Sequence, residues 1–373
     1  MISAGIDYED KVLACVLRMC VCDAPARAMV KSVKQFSGYY GCVKCEQKGT
    51  YIGRVTYPEC TAQLRTDNSF CSRSNSAHHM GNSPFLELPV DMANFFPVDY
   101  MHQTCLGVMK RLILCWTSGP TSVKMSALQK VEASKRLVTF RNVITSDFAR
   151  RPRPLNEIAY WKATEFRFFL VYAGYFILRR NISGVIFDHF MCLNAAISIL
   201  LSDTLSTDVD YLKFAHELLV YFVSKSRDIY GSEFLVYNVH SLVHLTQEVD
   251  RFGKLDNTGA FVFENYMRTL KRFVRSARNP LAQVAKRIKE HGAFRSLSDP
   301  VVSNKLTLSS YCCHSPNNYC ILEDGRCCEV VSIDAEQVSC IIAWSIHMMN
   351  LYMYAHAIQG YLAFIKFISD QGK

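Results

Sequence analysis

The sequence predicts an α/β protein in which α predominates, with a small β region near the C-terminus. Three observations carry this. Apolar residues recur at helical spacing through roughly 155–250, as in WKATEFRFFLVYAGYFIL (161–178), HFMCLNAAISILL (189–201) and YLKFAHELLVYFV (211–223). Residues 11–22, KVLACVLRMCVC, are almost continuously apolar and read as a buried strand. Residues 305–345 alternate and contain turn signals such as Glu323-Asp324-Gly325.

The strand at 11–22 ends at Asp23, and Asp23-Ala24-Pro25 reads as an N-cap with Pro in the first turn of a helix. Residues 38–90, rich in Gly, Ser, Pro and Cys, predict irregular structure, and 103–117 predict a helix. RRPRP at 150–154 is a linker signal. Several long helices with short connections follow it, which predicts an all-helical insertion. Helices are expected over about 260–276 and, after Asn279-Pro280, over 281–291. The chain thus divides into a strand and helix (1–40), a cysteine knuckle with irregular chain (41–150) and the helical insertion (151–255). Two further helices (256–292), the small β region (293–345) and an apolar tail (346–373) complete it.

With 373 residues, half of them hydrophobic and a fifth charged, the chain is globular and large enough for a sizeable core. Lys plus Arg exceed Asp plus Glu by 42 − 33 = 9, which favours acidic partners only where the charge clusters. The N-terminus MISAGIDYEDKVLA lacks a basic-then-apolar leader, so the 16 cysteines read as reduced thiols of the cytosol or nucleus, some of them metal ligands. Val338 to Ile365 contains no charged residue and is long enough to cross a bilayer. His347, Asn350, His356 and Gln359 disfavour that, and a buried terminal helix or an aberrant tail is the preferred reading.

Cys42-x-x-Cys45, in GYYGCVKCEQKG, is a knuckle that lets two thiolates reach one metal; ordinary thiols in a turn are the alternative. His240 and His244, in YNVHSLVHL, share one face of a helix at i, i+4 spacing; satisfied core histidines are the alternative. Together the pairs make a closed Cys2His2 set, which assigns a zinc ion a structural role. Asp23 is either a metal-binding carboxylate or a plain N-cap. Glu264 opens FENYMRTLKRFVRSAR, where Phe263, Tyr266, Met267, Leu270 and Val274 form an apolar stripe. Glu264, Arg268, Lys271, Arg272 and Arg275 share the opposite face. From Glu264 to Glu290 there are eight Lys/Arg, Arg278 among them, and two Glu, which suits phosphate contacts or a solvated face. Asp99 and His102 form a further acid–imidazole pair ahead of a helix, while Trp161, Phe166, Phe168 and Phe169 read as core.

The runs CDAPARAMVKSVKQFSGYYGCVKC, FPVDYMHQTCLGVMKRL, LNEIAYWKATEFRFFLVYAG, YNVHSLVHL and FVFENYMRTLKRFVRSARNPLAQVAKRI resemble transposases of the CACTA (En/Spm) type, over roughly residues 12–335. The resemblance implies a ribonuclease-H-like core, here partial, interrupted by a large helical insertion, with an Asp, Asp, Glu triad holding two Mg²⁺ or Mn²⁺ ions. Asp23 matches the second acid, 42 − 23 = 19 residues before Cys42. Glu264 matches the third, 264 − 244 = 20 residues after His244, and Cys42, Cys45, His240 and His244 match the zinc ligands. The first acid of such a triad lies well upstream of the second. Only 22 residues precede Asp23, and neither Asp7 nor Asp10 follows a convincing core strand. The expectation is therefore the C-terminal part of the catalytic region, catalytically incomplete. Implied partners are DNA, as transposon ends, and a second copy in a homodimer, in the nucleus with the cytoplasm as second choice; a membrane is disfavoured. The competing reading is a non-enzymatic, zinc-stabilised nucleic-acid or protein interaction protein.

Overall fold

The computed structural model describes residues 6–8, 11–13, 16–146, 148–295, 319–321, 327–333 and 338–342. Helices carry most of them. Asp23 has extended backbone, and its Oδ1 accepts the Ala26 N–H at 2.8 Å, so α1 (Ala24–Lys31) starts where the capping signal puts it. The apolar run before Asp23 is not the buried strand expected. β2 (Lys11–Leu13) pairs antiparallel with β1 (Ile6–Tyr8) and ends at Leu13, and Val16 is 86% exposed. Further along, Cys20 N–H donates to Phe95 O at 2.9 Å and Cys22 bridges Val98 in parallel. A strand buries both faces only inside a sheet, and among the described residues this run has a single bridge beyond β2.

Residues 38–90 are largely irregular, as expected. They contain a two-residue hairpin of β3 (Thr50–Tyr51) and β4 (Val55–Thr56), and the short α2 (Asp67–Cys71) behind a Thr66–Ser69 capping box. A π-helical stretch, Met101–Met109, then runs into α3 (Lys110–Ser118), followed by α4 (Ala127–Thr139). The helical insertion contains α5 (Ala163–Phe168), a π turn, α6 (Gly174–Leu178), α7 (Gly184–Leu201) and α8 (Val209–Tyr230). Trp116, Phe169 and Phe190 pack edge-on at its centre, and Trp161, Phe166 and Phe168 are buried, as read from sequence. α7 is long and apolar enough to cross a membrane, yet 61% of that window is buried in the protein, which is how a core helix packs.

α9 (Tyr237–His240), a 3₁₀ turn (Ser241–His244) and α10 (Leu245–Phe252) follow, then α11 (Phe261–Phe273) and α12 (Pro280–Arg295). The apolar stripe of α11 is largely uncovered: no residue of the helix is buried, Phe263, Tyr266 and Met267 are exposed, and Leu270 and Val274 are half-buried. Helical spacing gives a face its composition but does not supply the surface it packs on. The expected C-terminal β region is a three-stranded antiparallel sheet of β5 (Tyr319–Ile321), β6 (Cys327–Ile333) and β7 (Val338–Ile342). Of the uncharged stretch 338–365, only β7 falls within the described residues, and the tail 346–373 lies outside them.

The chain forms two compact units. One comprises residues up to 138 with 152–291; the other comprises 139–151 with the described residues beyond 291. All candidate site residues lie in the first.

The buried core of that unit holds a neutral histidine. His189 stacks on Phe222 at 4.1 Å and bonds the Phe222 carbonyl at 2.9 Å; burial pushes its pKa down from 6.5 to about 4. A depressed histidine contributes stability that is complete above 6.5 and is lost as pH falls towards 4. The melting temperature should therefore decline through that window in thermal unfolding scans, and His189→Gln should flatten the decline.

Candidate metal centre

The knuckle is built by short backbone pairing. Cys45 bridges Leu64 antiparallel, Glu46 N–H donates to Gln63 O and Arg65 N–H to Lys44 O, each at 2.8 Å, and Arg65 Nε reaches the Cys42 carbonyl at 3.0 Å. Gly41 enters it where nothing larger fits: a Cβ there would lie 2.4 Å from Gln35 O and 2.7 Å from the Tyr57 hydroxyl. The histidines arrive from the other end of the unit. Between them the helix tightens into a 3₁₀ turn, so they sit at the ends of two short elements and not on one regular helix. Their rings still approach to 5.2 Å between centroids.

All four ligand atoms of Cys42, Cys45, His240 and His244 lie within 4.8 Å of one another, and all four residues are buried. Cys45 Sγ is 3.2 Å from His240 Nε2, and Cys42 Sγ is 3.6 Å from His244 Nε2. Tetrahedral zinc with its usual bond lengths sets sulfur and nitrogen about 3.6 Å apart. The donor set and the spacing therefore could hold a metal ion such as zinc, at the four residues that the sequence singles out. Burial opposes ionisation of Cys42. The hydrogen bond from Cys45 and the facing imidazoles of His240 and His244 outweigh it and hold Cys42 well below the ordinary thiol range. Cys45 is pushed upwards, because it keeps the proton shared with Cys42 and is itself buried.

The surroundings, which sequence spacing did not reveal, fix the ligands in place. The Gln47 amide lies 3.1 Å from His240 Nδ1, on the far side of the ring from the thiols, and Tyr57 stacks on the same ring at 5.5 Å. Tyr57 N–H donates to Leu235 O at 2.7 Å, joining the knuckle to the approach to α9. Lys44, inside the Cys-x-x-Cys, forms a buried ion pair with Glu248 at 2.6 Å, one turn beyond His244. The closeness of Gln47 and Lys44 to the cysteines was the only available signal.

The candidate carboxylates lie elsewhere in the unit. Asp23 is half-buried as the cap of α1. Glu264 is exposed in the first turn of α11, which starts against Asp99: the Ala260 N–H donates to Asp99 Oδ1 at 2.8 Å. Arg27 links α1 to the segment before Asp99 and to α9, donating to Pro97 O and to the Tyr237 hydroxyl, both at 2.7 Å. Asp23 and Glu264 both act on one imidazole, His102. Its pKa is raised, first by the hydrogen bond to Asp99, then, against burial, by the charges of Asp99, Asp23 and Glu264. Among the described residues only the Cys2His2 set gathers three or more His, Cys, Asp or Glu ligands within 4.8 Å, so the acids do not form a second preformed group. Arg268, Lys271, Arg272, Arg275 and Arg278 are all exposed, and none forms an ion pair among the described residues. Gln283 bonds the backbone of Arg275, Ser276 and Arg278 and so fixes the turn that presents the last two arginines. No family model, curated protein or solved structure matches this chain.

Purified protein should contain about one zinc per chain by elemental analysis, and Cys42→Ser should lose it and melt lower. Glu248→Ala leaves Lys44 buried without its partner and should cost about 3–5 kcal/mol in denaturant unfolding.

Proposed function

We propose that this chain carries the zinc-organised part of a catalytic region of the CACTA (En/Spm) transposase type. It binds DNA, and Asp23 and Glu264 supply two of the three carboxylates that two-metal strand cleavage and transfer require. The carrying observation is the meeting of Cys42, Cys45, His240 and His244 across separations of 202 and 195 residues, in the order and spacing that the resemblance implies. The common influence of Asp23 and Glu264 on His102 adds to it. A partial ribonuclease-H-like core belongs to the same reading. Its support is the parallel bridge from Cys22 to Val98, one residue before Asp23 and Asp99 respectively.

Carboxylate oxygens are hard donors suited to Mg²⁺ or Mn²⁺. When bound, such ions activate the attacking oxygen and stabilise the leaving one. The chain's own contribution is electrostatic: the five unpaired basic side chains from Arg268 to Arg278 offer phosphate contacts without breaking any existing ion pair. Nuclear localisation and pairing of two copies on transposon ends go with this reading. The second reading, a zinc-stabilised interaction protein without enzymatic activity, is favoured by one observation, the uncovered stripe of Phe263, Tyr266 and Met267.

DNA binding should weaken steeply with salt. Changing Arg268, Lys271 and Arg275 to Gln should lower the slope of log K against log salt by about 2.7, at about 0.9 per phosphate contact. Binding that ignores salt, or no binding, removes the transposase reading. Any Mg²⁺-dependent nicking by the protein should disappear in Glu264→Ala.

A further inference from the structure

The proposed chemistry leaves one polar pair unused. Asp99 is 2% exposed, and four N–H groups converge on its two oxygens. Oδ1 accepts from Met101 N at 3.0 Å and from Ala260 N at 2.8 Å; Oδ2 accepts from His102 N at 3.4 Å and from His102 Nδ1. With both oxygens doubly engaged, Asp99 is a poor candidate for a metal ligand. It is instead a fixed post, holding an imidazole on one side and the first turn of the Glu264 helix on the other.

The His102 side chain is 34% exposed. Its Nδ1 is committed to Asp99, while Nε2 has no hydrogen-bond partner among the described residues. Asp99, just before the π-helical stretch, is the acid in contact with it; the charges of Asp23, which caps α1, and Glu264, in the first turn of α11, act on it in the same direction. A site bearing these carboxylates alone would repel a phosphate diester. The Asp99 carboxylate bonded to Nδ1 stabilises the doubly protonated ring, in which Nε2 presents an N–H to an incoming anion.

We propose that His102 contacts a phosphate of bound DNA through its Nε2–H, and that Asp99 is the positioning residue that holds this imidazole by its Nδ1. This rests on the DNA-binding reading above. Loss of a hydrogen bond to a charged group lowers affinity about tenfold or more.

The test uses the full chain, zinc-loaded, with a nicked DNA duplex of arbitrary sequence in Mg²⁺. His102→Ala should weaken binding about tenfold, and His102→Gln, which keeps an N–H at similar reach, should recover most of it. In ¹⁵N spectra of the histidine side chains, the His102 Nε2 resonance should move on adding DNA. That response should be lost in Asp99→Asn while the zinc content stays unchanged. If His102→Ala binds like the unaltered chain while the Arg268/Lys271/Arg275 variant is weakened, the contact is refuted and the DNA reading stands. Equal loss in the Ala and Gln variants also refutes the contact, leaving a structural role. Failure of the unaltered chain to bind overturns both.

Discussion

The architecture of the first unit depends on two thiols meeting two imidazoles across 202 and 195 residues of chain. The length-dependent part of closing such a loop costs about 5 kcal/mol of chain entropy. A structural zinc site supplies about 10–16 kcal/mol, so a filled site can close the loop with free energy to spare. The neighbourhood adds to this directly: the Lys44–Glu248 pair and the Tyr57–Leu235 bond join the same two regions. Metal ligands, ion pair and backbone bond all oppose the same separation, so removing one weakens the others.

From that junction the order extends to the acids through few links. Arg27 joins α1 to Pro97 and Tyr237, and Gln103 Nε2 bonds the Asn238 carbonyl at 2.5 Å. Gly107 lets the π-helical stretch lie against Asn238, since a Cβ there would sit 2.4 Å from its amide nitrogen. Asp99 then holds the start of α11. Asp23 and Glu264, far apart in sequence, therefore each sit on chain that is itself braced against the elements carrying the Cys2His2 group.

Much of this was legible in the residues. Short-range patterns carried over well: the Asp23-Ala-Pro cap, the helices of 155–250, the strands near 320–342 and the two ligand pairs all come from local spacing and local chemistry. What failed depended on partners distant in sequence. The run 11–22 has the composition of a buried strand, but composition does not say whether neighbouring strands exist. The stripe on α11 has the period of a packed helix, but the period does not say what lies opposite. Gln47, Tyr57 and Glu248 were invisible for a related reason: side chains that orient a ligand follow no spacing rule, since they are recruited from whatever backbone passes nearby.

The separation of the ligand pairs also sets an order of events in the cell. At ordinary synthesis rates the cysteine knuckle is made about 10–40 s before the second histidine. During that interval Cys42 and Cys45 are nascent thiols without their imidazole partners, open to oxidation or to capture by other soft metals. The unit can close only late, when the C-terminal half arrives, so translation that stops within the helical insertion yields a knuckle without its lock and exposes an unfinished core to quality control.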